Sequence, residues 1–446
     1  MNTYKRCKCR DADGRELGKQ CPKLRRANGS YNPNHGSWYF QVEAEPDENG
    51  KRRTVRRGGF PTQAAAEAAG EEARGRAKAG ADITRKLTVG QYLREWLDGL
   101  AVRGSTMRSY RQHVEGLWTP QCGRVELSAL RRHHVAEALA TLSCGSSTAA
   151  RYRATLRNAL NDAKREGLVT VNVAELVKMT NTASPKARVW TDSRVVAWQA
   201  EYELRRQGVP AGSERDFMIW HEVAARPSPV MVWTPAQVGR FLDAAADHRW
   251  YALFHVIAFR GLRRGEACGL RREDLDLEVG TAAIRWQLTE SGAEVTEGPV
   301  KTDASDATVT LDVGTVAVLR EHLAAQAEQR QHWGSAWVQT AYVFTNEDGS
   351  RVRPSAVSAA FEALAFEAGL PPVRLHDLRH GAASIMRAAG LDMKLISATL
   401  RHSTSKITSD LYTSIFEDHD RAAAEAAAAV VPRARRAPEG SREVAA

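Results

Sequence analysis

The sequence predicts a mainly α-helical, multidomain protein with small β-sheets, an α+β fold class. At 446 residues the chain is too long for one hydrophobic core, and its length suggests about three domains. From residue 87 onward apolar residues recur at three- and four-residue steps, which is typical of amphipathic helices. Short alternating apolar runs within 36–86 and around 282–311 indicate strands.

Changes in composition divide the chain into six segments. The first three are a basic, cysteine-containing arm, a small sheet with one helix, and a helical domain, at 1–35, 36–86 and 87–180. A proline-rich linker or insertion, a mixed domain, and an alanine-rich helix with a basic tail follow at 181–230, 231–420 and 421–446.

Charge is concentrated near the N-terminus. The net charge is +10, and residues 1–86 hold 19 Lys or Arg against 11 Asp or Glu. A basic segment of this kind favours a polyanionic partner such as nucleic acid. Six cysteines are too few for a disulfide scaffold, and residues 1–10 lack the apolar core of a signal peptide. We therefore expect a reduced, cytoplasmic protein, in the bacterial cytosol at the nucleoid, with no membrane segment.

Soft metal ligands cluster in the first segment. Cys7, Cys9, Cys21 and His35 offer three thiolates and one imidazole, a set that can close a tetrahedral zinc site. The Cys-x-Cys spacing is tighter than that of most zinc knuckles. A flexible basic arm with free thiols is the alternative interpretation.

The second segment has a hairpin signal. Residues 38–42 and 54–57 alternate like strands around Asn49-Gly50, and Thr62 can cap a helix that runs to about Lys78. A basic sheet can lie in a DNA groove, although a solvated hairpin is the alternative. The predicted DNA contacts are Arg52, Arg53, Arg56 and Arg57.

The spacing of apolar residues in the third segment predicts four amphipathic helices. The first of them has one apolar face, formed by Val89, Tyr92, Leu93, Trp96, Leu97 and Leu100. The opposite faces of the helices are cationic, which suits DNA but is also typical of solvated surfaces. The predicted DNA contacts here are Arg108, Arg111, Arg151 and Arg157.

The mixed domain carries the residues that indicate a catalytic function. In His376-Asp377-Leu378-Arg379-His380, the first histidine and Arg379 lie three positions apart, so they share one helix face and can direct two donors to one anion. His402 and, ten residues later, Tyr412 follow downstream. Upstream, Arg263 lies in the run Gly261-Leu262-Arg263-Arg264-Gly265-Glu266, and Lys301 lies between two predicted strands.

These motifs, in this order, resemble those of the tyrosine recombinase (phage integrase) family, of the actinobacterial type with an N-terminal arm-binding domain. The resemblance covers about residues 36–420. It implies an arm-binding domain at the front, a helical core-binding domain and a catalytic domain. It also implies double-stranded DNA with core and arm attachment sites, a homotetramer on that DNA, a directionality factor as a further partner, and no cofactor for catalysis. The implied catalytic residues are Arg263, Lys301, His376, Arg379, His402 and Tyr412.

The chemistry of these residue types agrees with the resemblance. Arg263 and Arg379 suit a phosphate because a guanidinium donates two N–H groups at once and stays charged. Tyr412 is the expected nucleophile, and its pKa of about 10 requires nearby cations or a base before it can attack. Lys301 is the expected general acid for the leaving deoxyribose oxygen. Glu266 is expected to orient Arg263.

Two positions depart from the family pattern. Arg401 stands where the family commonly has glycine, and Gly381 where it has threonine or serine. Arg401 therefore either disturbs a left-handed turn or adds a phosphate contact. Two other functions are also compatible with the sequence: a type IB topoisomerase-like enzyme, and a DNA-binding regulator with an inactive catalytic domain.

Overall fold

The computed structural model describes residues 1–44, 52–78, 87–179, 187–223, 226–300 and 307–401. The Asn49-Gly50 turn, Lys301, His402, Tyr412 and the tail 421–446 lie outside these ranges. The chain forms two compact units, 1–183 and 184–446. Mainly helical structure with small sheets confirms the predicted fold class. In the described part of the chain, no helix combines the length and apolarity that a bilayer span requires.

A three-stranded antiparallel sheet opens the first unit. Its strands are β1 (Asn2–Arg6), β2 (Ser37–Ala44) and β3 (Arg53–Phe60), in that order across the sheet. Helix α1 (Gln63–Lys78) covers one face, where Phe40, Val42 and Val55 form a small core. Thr62 accepts a hydrogen bond from Ala65 and caps this helix, as predicted. Strand β1 comes from the predicted arm, so the arm and the sheet form one structure.

The rest of the first unit is helical. The faces predicted for α2 are confirmed, because its five apolar residues are all buried. A π-helical turn at Val114–Trp118 breaks the helix predicted for 105–117. The α-helices are α2 (Val89–Asp98), α3 (Gly104–His113), α4 (Thr119–Cys122), α5 (Arg132–Ala140) and α6 (Ser146–Arg165).

The second unit surrounds one large hydrophobic core. Its strands are short: β4 (Arg188–Val189), β5 (Met231–Val232), β6 (Leu275–Asp276), β7 (Thr281–Ile284), β8 (Trp286–Ser291), β9 (Glu294–Pro299) and β10 (Ala307–Thr310). Its α-helices are α7 (Asp192–Arg205), α8 (Glu214–Met218), α9 (Pro235–Ala244), α10 (Tyr251–Arg260), α11 (Arg264–Cys268), α12 (Val313–Trp333), α13 (Pro354–Glu367), α14 (Leu375–Ala388) and α15 (Met393–Thr399).

The segment predicted as a linker or insertion is packed into this core. Strand β4 pairs in parallel with β5, and α7 occupies the helix predicted for 192–206. Three buried tryptophans donate their indole N–H groups to three consecutive carbonyls. The pairs are Trp220 with Leu370 at 2.8 Å, Trp233 with Pro371 at 2.8 Å and Trp190 with Pro372 at 3.2 Å. Residues 187–223 thus contact the segment that leads into α14.

Capping residues set the helix boundaries near the predicted catalytic residues. Thr234 and Gln237 form a capping box at the start of α9, with Pro235 in its first turn, as predicted. Helix α10 ends at Gly261, which has a left-handed backbone with φ of 61°. Helix α11 then begins three residues later, at Arg264. Strands β8 and β9 form an antiparallel hairpin that ends just before Val300.

Candidate active site, metal cluster and DNA-facing surfaces

Arg263 and Glu266 form a local ion pair at the start of α11. The Arg263 side chain donates from Nη1 to Oε1 of Glu266 at 2.6 Å, and its backbone N–H donates to Oε2 at 2.9 Å. Glu266 is buried, whereas the Arg263 side chain is about one third exposed. The carboxylate therefore fixes the backbone and the guanidinium of Arg263 together, the orienting role predicted for Glu266.

Arg379 is fully buried on α14. Its Nη1 donates to the carbonyl oxygen of Gly261, and its Nη2 donates to that of Leu400. These carbonyls belong to the ends of α10 and α15, so one guanidinium joins three helices. The first contact places Arg379 beside the turn that leads to Arg263.

His376 lies one helical turn before Arg379. The residue is exposed overall, yet partial desolvation of its ring lowers its pKa, and nearby positive charges lower it further. Asp377 opposes this effect. The arginines that act on the ring are Arg379, Arg374 and Arg263. His376 therefore lies close enough to these arginines to share one positively charged site with them. His380 packs edge-on against His376, with ring centroids 5.2 Å apart.

Arg401 adds a third arginine to this site. It is buried, and its Nη2 donates to Oε2 of Glu266 at 2.6 Å. Glu266 thus lies between Arg263 and Arg401. The sequence leaves the role of Arg401 open because the residues around it do not indicate a contact with Glu266, which lies 135 positions away. The other three predicted catalytic residues, Lys301, His402 and Tyr412, lie outside the described residues.

The four predicted metal ligands come together in the first unit. The ligand atoms of Cys7, Cys9, Cys21 and His35 all lie within 4.8 Å of one another. The Sγ atoms of Cys9 and Cys21 are each 3.5 Å from Nε2 of His35. Tetrahedral zinc with usual bond lengths separates a sulfur from a nitrogen ligand by about 3.6 Å. The donor set and its spacing therefore fit a zinc ion.

The predicted arginines of the sheet differ in their surroundings. Arg56 is exposed opposite Gln41, on the face turned away from α1. Arg57 points the other way and pairs with Glu126 at 3.0 Å. Arg52 is exposed and Arg53 is half-buried.

The outer face of the sheet also carries aromatic rings that the sequence analysis missed. Tyr4 stacks on Tyr39 with ring centroids 5.7 Å apart, and Nζ of Lys19 lies 3.3 Å from the centroid of the Tyr4 ring. Tyr4 is the only aromatic residue in 2–6, so the sequence offered little signal for this strand.

The predicted arginines of the helical part lie on α3 and α6. Arg108, Arg111 and Arg151 are exposed, and Arg157 is half-buried. Helices α3 and α6 are neighbours, since Nδ1 of His113 and Oγ1 of Thr155 are 2.7 Å apart. Burial of His113 and the charge of Arg151 lower the pKa of that histidine. Arg151 thus adds to the cationic surface beside α3.

Two arginines and a histidine on a mainly helical unit with small sheets match the arrangement that the resemblance to tyrosine recombinases implies. Two family profiles match the chain. The Phage integrase family matches residues 232–419, and the Arm DNA-binding domain matches residues 31–75. The phage integrase match thus covers the part of the chain that carries this site.

Two curated relatives give the extent of the similarity. The tyrosine recombinase XerC-like protein of Caldanaerobacter subterraneus subsp. tengcongensis is 28% identical over 198 residues, which are 42% of this chain and 51% of that protein. The integrase of Mycobacterium phage L5 is 24% identical over 343 residues, 76% of this chain and 78% of that one. The chain thus spans about half the length of the first relative and over three quarters of the second.

Solved structures share the fold. A Tn1549 transposon integrase in complex with transposon right end DNA gives a TM-score of 0.54 at 15% identity, covering 76% of this chain and all of that one. A lambda integrase dimer bound to a COC' core site gives 0.50 at 12% identity, covering 74% of this chain and 96% of that one. At these identities the likeness concerns the fold.

Proposed function

We propose that the protein is a site-specific integrase that cleaves and rejoins double-stranded DNA through a covalent 3'-phosphotyrosine, and so integrates and excises a phage or another mobile element. The observation that carries this proposal is the convergence of Arg263, Arg379 and His376 on one cationic site within the family match. Such a site stabilises charge that builds on the oxygens of a phosphodiester. Side chains supply that charge, so the reaction needs neither a metal nor ATP.

Each side chain has a role in this reaction. Arg263 and Arg379 bind the scissile phosphate, with His376 and His402 as further donors. Tyr412 gives its hydroxyl proton to His376 or His402, and its oxygen forms the new bond to phosphorus while the bond from phosphorus to the deoxyribose oxygen breaks. Lys301 gives its proton to that leaving oxygen. A hydroxyl of the second strand then reverses the step, because the phosphotyrosine retains the energy of the ester.

The arm-binding domain bears on the choice among related functions. A topoisomerase that reseals one strand has no need of a second DNA-binding module, whereas an integrase uses arm sites as well as core sites. We further propose a homotetramer on paired core sites, acting on chromosomal DNA in the bacterial cytosol. A directionality factor would select excision.

Trapping of the intermediate tests the nucleophile. The attachment core is first identified by sequencing the junctions between the element and host DNA. A duplex carrying that core and a nick beside the cleavage position should give a protein–DNA adduct that survives denaturation, and Tyr412→Phe should give none. An equal amount of adduct from Tyr412→Phe would disprove the assignment. Equal relaxation of plasmids with and without the core would favour a topoisomerase.

A zinc ion in the N-terminal cluster is a second proposal, favoured by the ligand geometry. Cys7 and Cys9 directly follow β1, Cys21 lies midway, and His35 directly precedes β2. A bound zinc would therefore join both ends of the 30-residue connection between two paired strands, where it would hold β1 on the sheet. Its role would be structural.

Metal analysis of the full-length protein tests this role. Wild type should hold one zinc per chain, Cys21→Ser should hold none, and Cys144→Ser, which changes an exposed cysteine outside the cluster, should hold one. Cys21→Ser should also weaken binding to arm-site DNA while core cleavage persists. Zinc-free wild type, with cobalt addition giving no thiolate–cobalt absorption, would show that the cluster binds no metal.

A further inference from the structure

Arg401 has an unusual backbone for its residue type. It lies two residues after the C-terminal end of α15, and it is the one non-glycine residue in the described part of the chain with positive φ, at 54°. Glycine favours this region because a Cβ atom crowds the neighbouring backbone there. An arginine is therefore held in a strained conformation at a position where glycine would be relaxed.

The Arg401 side chain is also only partly satisfied. It is 4% exposed, and Nη2 donates to Glu266. Its Nε and Nη1 atoms are buried and have no hydrogen-bond partner among the described residues. Burial lowers the pKa of the guanidinium, and the charge of Arg263 lowers it further against the attraction of Glu266. A buried cation with unpartnered N–H groups is unfavourable unless a ligand supplies the acceptors.

The surroundings identify the ligand as an anion at the proposed active site. Glu266 contacts both Arg401 and Arg263 through its two carboxylate oxygens. Arg379 donates to the carbonyl of Leu400, the residue before Arg401. Arg401 is therefore connected to both phosphate-binding arginines. One carboxylate contacts two guanidinium groups, and Arg379 adds a third positive charge, so the site keeps a positive charge that an anion can neutralise.

We propose that Arg401 is a third phosphate-binding arginine, whose Nε and Nη1 groups donate to non-bridging oxygens of the DNA phosphate that Tyr412 attacks. This inference rests on the proposed function. The competing role is purely positional, with Arg401 holding Glu266 and thereby Arg263. The two roles differ in one measurable respect, because the positional role acts through Glu266 and a direct contact does not.

A change in the phosphate tests whether the defect depends on its charge, and a second substitution separates the two roles. The full-length protein is given nicked core duplexes that carry either the natural phosphate or a methylphosphonate, in which a methyl group replaces one charged oxygen, at the cleavage position. On the natural phosphate, Arg401→Gly should slow adduct formation about tenfold or more, because a hydrogen bond to a charged group is lost. On the methylphosphonate the variant should approach the wild-type rate. In a Glu266→Gln background, Arg401→Gly should slow adduct formation further, because a direct contact does not act through that carboxylate. No further slowing in that background would establish the positional role and overturn the proposal, and so would an equal slowing on both substrates.

Folding of the variants is monitored alongside. Arg401→Gly should unfold at a temperature no lower than wild type, since glycine suits the local backbone. Arg401→Lys keeps the charge but loses the planar guanidinium, and its rate on the natural phosphate should lie between the other two. A wild-type rate from Arg401→Gly on the natural phosphate would overturn the proposal for Arg401 alone. The absence of any adduct from wild type would remove the proposed function, and this inference with it.

Discussion

The indole N–H of Trp220 donates to the carbonyl oxygen of Leu370 at 2.8 Å and joins two segments that lie 150 residues apart in the chain. Trp233 and Trp190 form the same contact with the next two carbonyls. The three bonds fix the segment directly before α14, the helix that carries His376 and Arg379. The packed segment 187–223 therefore helps to hold α14, and with it the cationic site, in position.

Replacing Trp220 tests this support. Trp220→Phe removes the donor and leaves the buried Leu370 carbonyl unpaired, which costs about 1–3 kcal/mol in addition to the lost packing. Trp198→Phe is the matched control, because Trp198 is buried and its Nε1 has no partner in the described structure. The free energy of unfolding, from urea denaturation followed by circular dichroism, should fall further for Trp220→Phe. Equal losses of unfolding free energy in the two variants would mean that the Trp220 hydrogen bond does not contribute to stability.

Replacing Gly261 tests the importance of the turn that connects α10 to Arg263. Its φ of 61° disfavours any side chain, and a Cβ atom would also collide with Leu400, whose carbonyl accepts from Arg379. Gly369 is the control: its φ is 62°, with no atom within 4 Å of the Cβ position. Gly369→Ala should cost about 1 kcal/mol from backbone strain alone.

Gly261→Ala should cost more and should also slow adduct formation, because the collision displaces a partner of Arg379. The measurements are urea denaturation and the rate of adduct formation on the nicked core duplex. Identical stability losses in the two variants would contradict the role of the Leu400 contact.

Features encoded by neighbouring residues were predictable from the sequence. The buried face of α2, the capping box at Thr234 and the pairing of Arg263 with Glu266 all depend on residues within one or two helical turns. The shared helix of His376 and Arg379 is of the same kind. Periodicity and capping patterns describe such features directly.

Long-range contacts were not predictable in the same way. The tryptophan bonds to 370–372 and the ion pair between Glu266 and Arg401 span more than 100 residues. No local period specifies which distant carbonyl or carboxylate a side chain will contact. Proline content made 181–230 resemble a linker, because the buried tryptophans of that segment show no regular spacing. Strand β1 was missed for a related reason, since a five-residue edge strand carries little pattern.

Buried histidines predict how stability depends on pH. Desolvation lowers the pKa of His255, and Arg260 lowers it further against Asp312. The unfolded chain binds a proton near pH 6.5 while the native residue stays neutral, so stability decreases as pH falls below about 6.5. Asp312 has a pKa lowered to about 2, so the stabilisation that it provides is lost only at more acidic pH.

Thermal unfolding between pH 8 and 5 measures this effect. The unfolding temperature of wild type should fall as the pH falls through this range, and His255→Gln should reduce the dependence because one of the titrating groups is gone. His322 behaves alike, since burial lowers its pKa as well. An unfolding temperature that rises toward pH 5 would contradict the sign of these shifts.

The orientations of Arg56 and Arg57 predict which face of the sheet contacts arm-site DNA. They are adjacent in sequence but lie on opposite faces of β3: Arg56 is exposed on the face that carries Tyr39, and Arg57 is paired with Glu126. An arginine that contacts a phosphate contributes about one unit to the slope of log affinity against log salt concentration. Arg56→Ala should therefore weaken binding to a duplex from the attachment region and reduce that slope by about one.

Arg57→Ala is the matched control and should change the affinity and the slope less, because its guanidinium is already neutralised by a carboxylate. Fluorescence anisotropy at several salt concentrations gives both quantities for each variant. Core cleavage by Arg56→Ala should remain at the wild-type level, because this arginine belongs to the arm-binding sheet. A larger loss for Arg57→Ala would place the DNA on the α1 side of the sheet, since the two side chains point in opposite directions from one strand.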